Sequence, residues 1–294
     1  MIQRQRAKVA PFLYLLPYLV GTGIFVLYPI VYLVIVSFQE DYNLLTREFS
    51  DYGVENYSKV LSSADFHNAL LNTSMYAAVV VPVTLVLSML FAAVLVRIKF
   101  LKAFYQTAYF LPLVTSSVAI GMVWKYLYNA DYGLFNFLLS LVGEPVNWLN
   151  DPKWNLLALI IFGIWNGLPF TILILTAALQ SINTQLYTAA QIDGAGVTQR
   201  FFRITVPLMS STLGFLFLLN LINSVKVFSE LFPLFNGKPG AGYTLYTVVY
   251  YIYEQLSISV DLGMAAAASM LLLVVMIALA GIQIAIQRNR KVAV

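Results

Sequence analysis

Three polar residues with helical spacing interrupt an apolar stretch near residue 220. Asn220, Asn223 and Ser224 occupy positions i, i+3 and i+4, so a helix would carry them on one face. Amides and hydroxyls on such a face can hydrogen bond to a neighbouring helix, or they can line an aqueous path and bind the hydroxyl groups of a solute. The spacing favours neither interpretation over the other.

A second polar break lies in the apolar run around residue 166. It contains Trp165, Asn166, Gly167, Pro169 and Phe170, and the proline weakens a helix because it lacks a backbone N–H. An aromatic ring can stack on the apolar face of a sugar while amides bind its hydroxyls. An anionic solute would instead require arginine or lysine, which neither stretch carries at its centre. The residue types therefore favour a neutral, hydroxylated solute.

Residues typical of enzymes and metal proteins are scarce. Cysteine is absent, which excludes disulfides, thiolate metal sites and cysteine nucleophiles. The single histidine, His67, lies beside Asp65 and Asn68 without a second ligand at metal spacing, so a solvated histidine is the favoured interpretation. We therefore predict no catalytic residue, no metal site and no cofactor bound by this chain itself.

The sequence also lacks two kinds of site that supply energy to proteins, a nucleotide-binding loop and titratable groups within the apolar stretches. It has no glycine-rich loop followed by Lys-Ser/Thr, so ATP and its Mg²⁺ would have to be bound by a partner. The centres of the apolar stretches carry no acidic residue, whereas ion-coupled transporters usually place titratable groups there. Four charged residues fall near the ends of these stretches, where an interfacial position is favoured over a place in a pathway: Lys125, Lys226, Glu230 and Asp261.

Composition indicates a membrane protein. Apolar residues make up 60% of the 294 residues and charged residues only 10%, against about 45–50% and about 25% in soluble domains. A membrane-spanning helix needs about 20 mostly apolar residues. Six segments qualify: 11–37, 69–96, 104–128, 155–180, 206–228 and 260–287. We therefore predict an all-α, polytopic membrane protein with six transmembrane helices.

The distribution of basic residues predicts the orientation of the chain. With an even number of spans both termini lie on one side, and that side carries Arg4, Arg6, Lys8, Arg97, Lys99, Lys102, Arg200, Arg203, Arg288, Arg290 and Lys291. The opposite loops carry only Arg47, Lys59, Lys153 and Lys238. Because cytoplasmic loops are enriched in lysine and arginine, both termini are predicted to be cytoplasmic. Trp124, Trp148 and Trp154 then lie near the outer ends of spans, where the bilayer interface favours such rings.

The connection between the fourth and fifth spans, about residues 181–206, differs from the other cytoplasmic connections. Asn183 can cap a short helix, Gly194 can end it, and Pro207 can open the next helix. Phe202 and Ile204, with Phe201, give the second piece an apolar face. Such a face can lie on the bilayer or dock a partner, and its physical properties favour neither.

This loop resembles the signature of binding-protein-dependent ABC importer permeases, which reads Glu-Ala-Ala, three residues, Gly, nine residues, Ile, one residue, Leu-Pro. The residues that match its spacing are Ala189, Ala190, Gly194, Ile204 and Pro207. Asp193, Ala195 and Phe202 suit the form found in the carbohydrate branch, of the maltose and glycerol-phosphate type. Thr188 replaces the usual glutamate and Val206 the usual leucine.

The resemblance implies an ABC type I importer permease fold, with residues 1–294 as a single transmembrane permease domain. It also implies that the loop is a coupling helix seated in an ATPase, formed by Thr188, Ala189, Ala190, Asp193, Gly194, Ala195, Phe202, Ile204 and Pro207. In similar maltose-type permeases the fourth and fifth spans hold the sugar. By spacing, this places Asn166, Gly167, Phe170, Asn220, Asn223 and Ser224 on the substrate path.

The expected function is therefore one half of the translocation path for a carbohydrate or related solute, coupled to ATP hydrolysis on other subunits. The implied partners are a second homologous permease, a cytoplasmic ATPase dimer, an extracytoplasmic solute-binding protein and membrane lipid, but no nucleic acid, since no basic run is present. The implied location is the cytoplasmic membrane of a bacterium or archaeon. The alternatives are an importer of a non-sugar solute and, less favoured, an ion-coupled secondary transporter.

Overall fold

The computed structural model describes residues 14–43, 46–98 and 102–292. Arg4, Arg6, Lys8 and Lys99, which contributed to the predicted orientation, lie outside these ranges. Within the described ranges the regular structure is helical apart from one isolated bridge between Gln39 and Tyr52. The predicted all-α class is confirmed.

The helices are numbered here in chain order. They are α1 (Tyr14–Ser37), α2 (Glu55–Ser62), α3 (Ala64–Leu95), α4 (Lys102–Val114), α5 (Ser117–Leu127), α6 (Leu134–Leu139), α7 (Pro152–Gln180), α8 (Thr184–Ile192), α9 (Val197–Leu208), α10 (Ser210–Val225), α11 (Leu231–Phe235), α12 (Val248–Ser257) and α13 (Leu262–Val292). Four of them, α1, α3, α7 and α13, are long and apolar enough to cross a membrane unbroken. The count reaches six when each of two bent pairs, α4 with α5 and α9 with α10, is taken as one span.

The third predicted span, 104–128, is not a single straight helix. Its two parts, α4 and α5, meet at a bend of 112°. Pro112 cannot donate a backbone hydrogen bond, and the Thr115 hydroxyl donates to the carbonyl of Leu111 at 2.7 Å. Ser116 is extended, with φ −56° and ψ 129°, so the first helix ends there and a second begins. The fifth span is likewise bent, by 69°, at Met209.

The expectation that the outer tryptophans occupy the bilayer interface is wrong for two of them. Trp124 and Trp148 are only 7% and 8% exposed. Trp124 contacts the ring of Phe162 edge-on with centroids 5.4 Å apart, and the indole N–H of Trp148 donates to the Asn136 side chain at 2.8 Å. These rings stabilise contacts between helices because aromatic pairs and a satisfied indole N–H favour burial.

The described chain forms two compact units, one comprising residues up to Phe66 with Tyr251–Val274 and the other His67–Tyr250 with the residues from Val275 onward. In the first unit, the buried amide of Asn56 donates to the carbonyls of Ser37 and Gln39 at 3.2 and 2.8 Å and so holds α2 against the end of α1. Lys59 binds Glu55 at 2.9 Å, and this hydrogen bond raises the pKa of the lysine.

The second unit has a packed core where α3, α7 and α10 meet. Its buried members are Met89, Ala92, Leu175, Met209 and Leu216. In lipid, such helices associate through close van der Waals packing rather than by removing apolar surface from water, because the lipid tails are equally apolar. Ile182, Phe201 and Val206 of the loop 181–206 pack against this core, so the loop is in direct contact with the three helices.

Candidate functional site

A cavity of about 510 Å³ lies between α3, α7, α10 and the break between α4 and α5. All six residues placed on the path from sequence line it: Asn166, Gly167, Phe170, Asn220, Asn223 and Ser224. Sequence spacing therefore identified residues that the tertiary structure brings together. Their contact with a solute stays a prediction.

Two glycines on α7 allow this cavity to form beside α3. A Cβ on Gly163 would overlap the phenol ring of Tyr76, and a Cβ on Gly167 would come within 3.1 Å of the Thr84 methyl. Small residues four positions apart let two membrane helices approach closely. Gly167 therefore shapes the cavity because it has no side chain, which allows α3 to lie close to α7. The neighbouring side chains form the cavity wall.

The polar stripe on α10 divides into residues with different roles. The Asn220 amide donates to the Leu216 carbonyl at 2.8 Å and to the Thr171 hydroxyl on α7 at 3.2 Å. Asn223 is exposed and has no hydrogen-bond partner among the described residues. Ser224 is 6% exposed. The packing interpretation is therefore confirmed for Asn220, which joins two helices, while Asn223 presents its amide to the cavity and its binding of a solute stays a prediction.

Two residues of α7 that line the cavity also have exposed side chains. Asn166 is exposed without a side-chain partner among the described residues, and the Phe170 ring is 41% exposed. The cavity thus combines two free amides, able to donate to and accept from hydroxyl groups, with an aromatic ring able to cover an apolar face. Trp165, from the same sequence break, points elsewhere: its ring lies 5.3 Å from that of Trp124.

Several cavity residues were missed from sequence. They are Tyr76 on α3, Thr115 and Ser117 at the α4–α5 break, and Lys226 and Glu230 beyond α10. The last two were expected at the bilayer interface, yet they line the same cavity. A usable signal was present for the break, since Pro112 precedes a Thr-Ser-Ser sequence within an apolar run. No local pattern marked Tyr76, which reaches the cavity only because of helix packing.

The loop 181–206 contains two helices joined by a turn, as expected. The Asn183 side chain accepts the backbone N–H of Gln185 at 2.9 Å and caps α8. At the other end Gly194 adopts φ +79°, its N–H donates to Gln191 at 3.0 Å, and the Ala195 N–H donates to Ala190 at 2.8 Å. This pair of bonds around a left-handed residue is the Schellman motif, for which glycine is preferred.

The loop's predicted contact residues differ in exposure. Exposed positions are Thr188, Ala189, Asp193, Gly194, Phe202 and Pro207, whereas Ala190, Ala195 and Ile204 are half-buried. The expected common face of the two phenylalanines is wrong, because Phe201 packs against the core of the second unit while Phe202 is 64% exposed. Ile192 and Val197, at 82% and 53% exposure, were missed and extend the outward apolar surface.

One hydrogen bond links the two halves of the loop. The Tyr187 hydroxyl on α8 lies 2.9 Å from the Thr205 hydroxyl on α9. Thr205 is buried and Tyr187 is half-buried, so this bond is partly shielded from water. The Thr188 hydroxyl instead donates to the Thr184 carbonyl at 3.3 Å on the exposed face. The inner side of the loop is therefore held by a hydrogen bond between its two helices, whereas Ile192, Val197 and Phe202 are exposed.

Residues 66–292 match the family model described as "Binding-protein-dependent transport system inner membrane component". The trehalose/maltose transport system permease protein MalF of Thermococcus litoralis is 31% identical over 291 residues, covering 99% of this chain and 97% of that protein. The arabinooligosaccharides transport system permease protein AraP of Halalkalibacterium halodurans is 32% identical, with coverage of 87% and 80%. The lactose transport system permease protein LacF of Rhizobium radiobacter is 30% identical, with coverage of 82% and 81%.

Two solved structures share the fold. A chain of a bacterial ABC transporter involved in the import of the acidic polysaccharide alginate superimposes with a TM-score of 0.80 at 23% identity, covering 98% of both chains. A chain of a bacterial alginate ABC transporter in complex with an alginate pentasaccharide-bound periplasmic protein gives 0.81 at 23% identity, covering 97% of this chain and 96% of that one. At this identity the likeness concerns the fold.

Proposed function

We propose that this chain, which belongs to the family of binding-protein-dependent transport system inner membrane components, is the permease subunit of an ABC importer for a carbohydrate. The observation that supports a substrate path is the cavity lined by Asn166, Phe170 and Asn223. The chain forms half of the path, and a second homologous permease completes it. ATP with its Mg²⁺ is bound and hydrolysed by a dimer of ATPase subunits.

The cavity chemistry supports a neutral sugar. Free amides bind hydroxyl groups, and an aromatic ring covers the apolar face of a sugar ring. Relatives are named for trehalose/maltose, arabinooligosaccharides and lactose transport, which are all hydroxyl-rich solutes. Lys226 and Glu230 also line the cavity, and Glu230 accepts the Phe228 N–H at 3.2 Å. A non-sugar solute remains the alternative, and it would be carried by the same cavity.

The loop around Gly194 is proposed to dock the ATPase. Ile192, Val197 and Phe202 are exposed apolar side chains of this loop, and projecting apolar side chains suit a cleft in a partner. Lys and Arg predominate on the same predicted side of the membrane, which supports cytoplasmic termini and a cytoplasmic loop. On the opposite side, a solute-binding protein delivers the sugar.

Replacing Thr188 with glutamate is expected to make ATPase association more dependent on salt. Thr188 is exposed, and within the described part of the chain its side chain hydrogen bonds only to its own helix, so the substitution is expected to leave the fold intact. A carboxylate there can pair with a basic residue of the ATPase, whereas the present surface binds by apolar contact. The measurement is ATPase co-purification across a salt series, with Thr188→Gln as the uncharged control. Identical salt curves for all three proteins would place residue 188 outside the contact.

The proposed function is tested by transport in proteoliposomes. The chain is reconstituted with its ATPase, second permease and solute-binding protein, and uptake of radiolabelled maltose, arabinotriose and lactose is measured. Uptake of at least one sugar should require internal ATP and persist when a protonophore collapses the ion gradient. Uptake that continues without ATP but stops with the protonophore would support the secondary-transporter alternative instead.

A further inference from the structure

A second cavity, of about 620 Å³, lies at the end of the second unit that carries the loop 181–206. It opens between the last turns of α3 and α7 on one side and the two loop helices on the other. It is separate from the proposed sugar cavity, with which it shares no lining residue. A volume of several hundred cubic ångströms is typical of small-molecule sites.

Two arginines line this cavity without a protein counter-charge. Arg97 follows the end of α3, and Arg200 lies on α9. The Nε atom of Arg200 is buried and has no hydrogen-bond partner among the described residues, and neither guanidinium forms an ion pair with them. No aspartate or glutamate lines the cavity. A buried guanidinium N–H without a partner is unfavourable, so an anionic group is expected to bind there.

The remaining lining is amphipathic. Val96, Leu179, Ile182 and Phe201 supply apolar surface, while the tyrosine and glutamine side chains add hydrogen-bonding groups. An apolar wall beside two guanidiniums suits an anion that carries hydrocarbon, more than a free inorganic ion. Arginine binds phosphate oxygens through two parallel hydrogen bonds, which makes a phosphate ester the best match for the anionic part.

The position of the cavity indicates the source of that phosphate. It lies beside the ends, at Leu95 and Gln180, of two helices long and apolar enough to cross a membrane, and the ends of such helices are expected at the depth of lipid headgroups. One turn further into the span, α3 exposes Leu90, Phe91 and Val94, along which acyl chains can lie. Basic pockets between membrane helices are known to bind anionic headgroups. We propose that this cavity binds the phosphate headgroup of an anionic phospholipid, held by Arg97 and Arg200.

A bound lipid would join the end of α3 to the loop, and the expected consequence rests on the proposed function. Arg97 follows the end of α3, whereas Arg200 belongs to the loop proposed to dock the ATPase. A headgroup bound to both would stabilise the loop against the spans. Removing anionic lipid is therefore expected to weaken the response of the ATPase to substrate.

The test uses the purified full-length chain, stripped of lipid in detergent and titrated with dioleoyl phosphatidylglycerol in native mass spectrometry. Dioleoyl phosphatidylcholine is the neutral control lipid. Arg200→Gln, and to a smaller extent Arg97→Gln, should weaken phosphatidylglycerol binding about tenfold, the effect of losing a charge-assisted hydrogen bond. Arg200→Lys should retain part of the affinity. Arg203→Gln is the matched control, because Arg203 lies on the same helix, is exposed and does not line the cavity.

The remaining outcomes would each overturn the proposal. Equal binding of the two lipids would show that the cavity binds acyl chains without selecting an anionic headgroup. An equal loss of binding in Arg203→Gln would show that the effect depends on net charge alone. Thermal stabilisation by glycerol 3-phosphate that depends on Arg200, without phosphatidylglycerol binding, would identify a soluble phosphate ester as the ligand. Unchanged lipid binding in Arg200→Gln together with lost ATPase co-purification would assign the arginine to the protein partner. Thermal unfolding of each variant verifies that it is folded.

Discussion

Replacing Gly194 with proline is expected to reduce ATPase co-purification by at least about tenfold and to abolish sugar uptake. Proline fixes φ near −65°, whereas Gly194 has φ +79°. It also removes the N–H that donates to Gln191 at 3.0 Å. Both changes destroy the turn that orients α8 relative to α9, so the exposed apolar side chains no longer form one surface.

The chain offers a matched control two residues away. Gly196 has φ −67° and ψ 167°, which proline adopts without strain, and a Cβ at either glycine would meet no atom within 4 Å. Gly196→Pro should therefore retain most of the co-purification. If both proline variants lose the ATPase equally, the effect is a general rigidification of the loop. If neither does, the loop is not the docking element.

Replacing Asn223 with leucine is expected to reduce sugar uptake by about tenfold or more while leaving expression and ATPase association unchanged. Its amide is exposed and has no partner among the described residues, so the folded chain loses no hydrogen bond. A bound sugar would lose one or two hydrogen bonds and leave its own hydroxyls unpaired, a penalty of about 1–3 kcal/mol. The measurement is the rate of labelled sugar uptake in proteoliposomes, and Asn223→Gln should restore part of it.

Asn220→Leu, on the same helix, is expected to behave differently. Its amide links α10 to Thr171 on α7, so the substitution should lower the temperature of thermal unfolding by removing an interhelical bond worth about 0.6–1.7 kcal/mol. The two leucine variants thus separate a path residue from a packing residue. Normal uptake in Asn223→Leu would show that this amide does not bind the sugar, whatever the result for Asn220→Leu.

Spacing along the sequence was enough to find residues that lie together on one face of the same helix. The six residues predicted for the substrate path lie on two helices, α7 and α10, and polar positions within an apolar run mark each face. The turn at Gly194 was predictable for a similar reason, because a left-handed residue after a capped helix favours glycine. What these patterns could not distinguish was the role of Asn220 from that of Asn223, since amides three positions apart are equivalent in sequence.

The amino-acid sequence by itself determined the solvent and the all-helical class of this protein and favoured a type of solute, but it did not show that two of the six spans are bent. Its apolar content requires a bilayer, the length of each apolar run requires a helix, and amides with an aromatic ring favour a hydroxylated solute. Only the tertiary structure decided which side chains remain available. Packing buries Trp124 and Trp148, turns Phe201 inward while Phe202 stays exposed, and pairs Asn220 but not Asn223. The physical reason is that availability depends on contacts between helices distant in sequence, which no local spacing records.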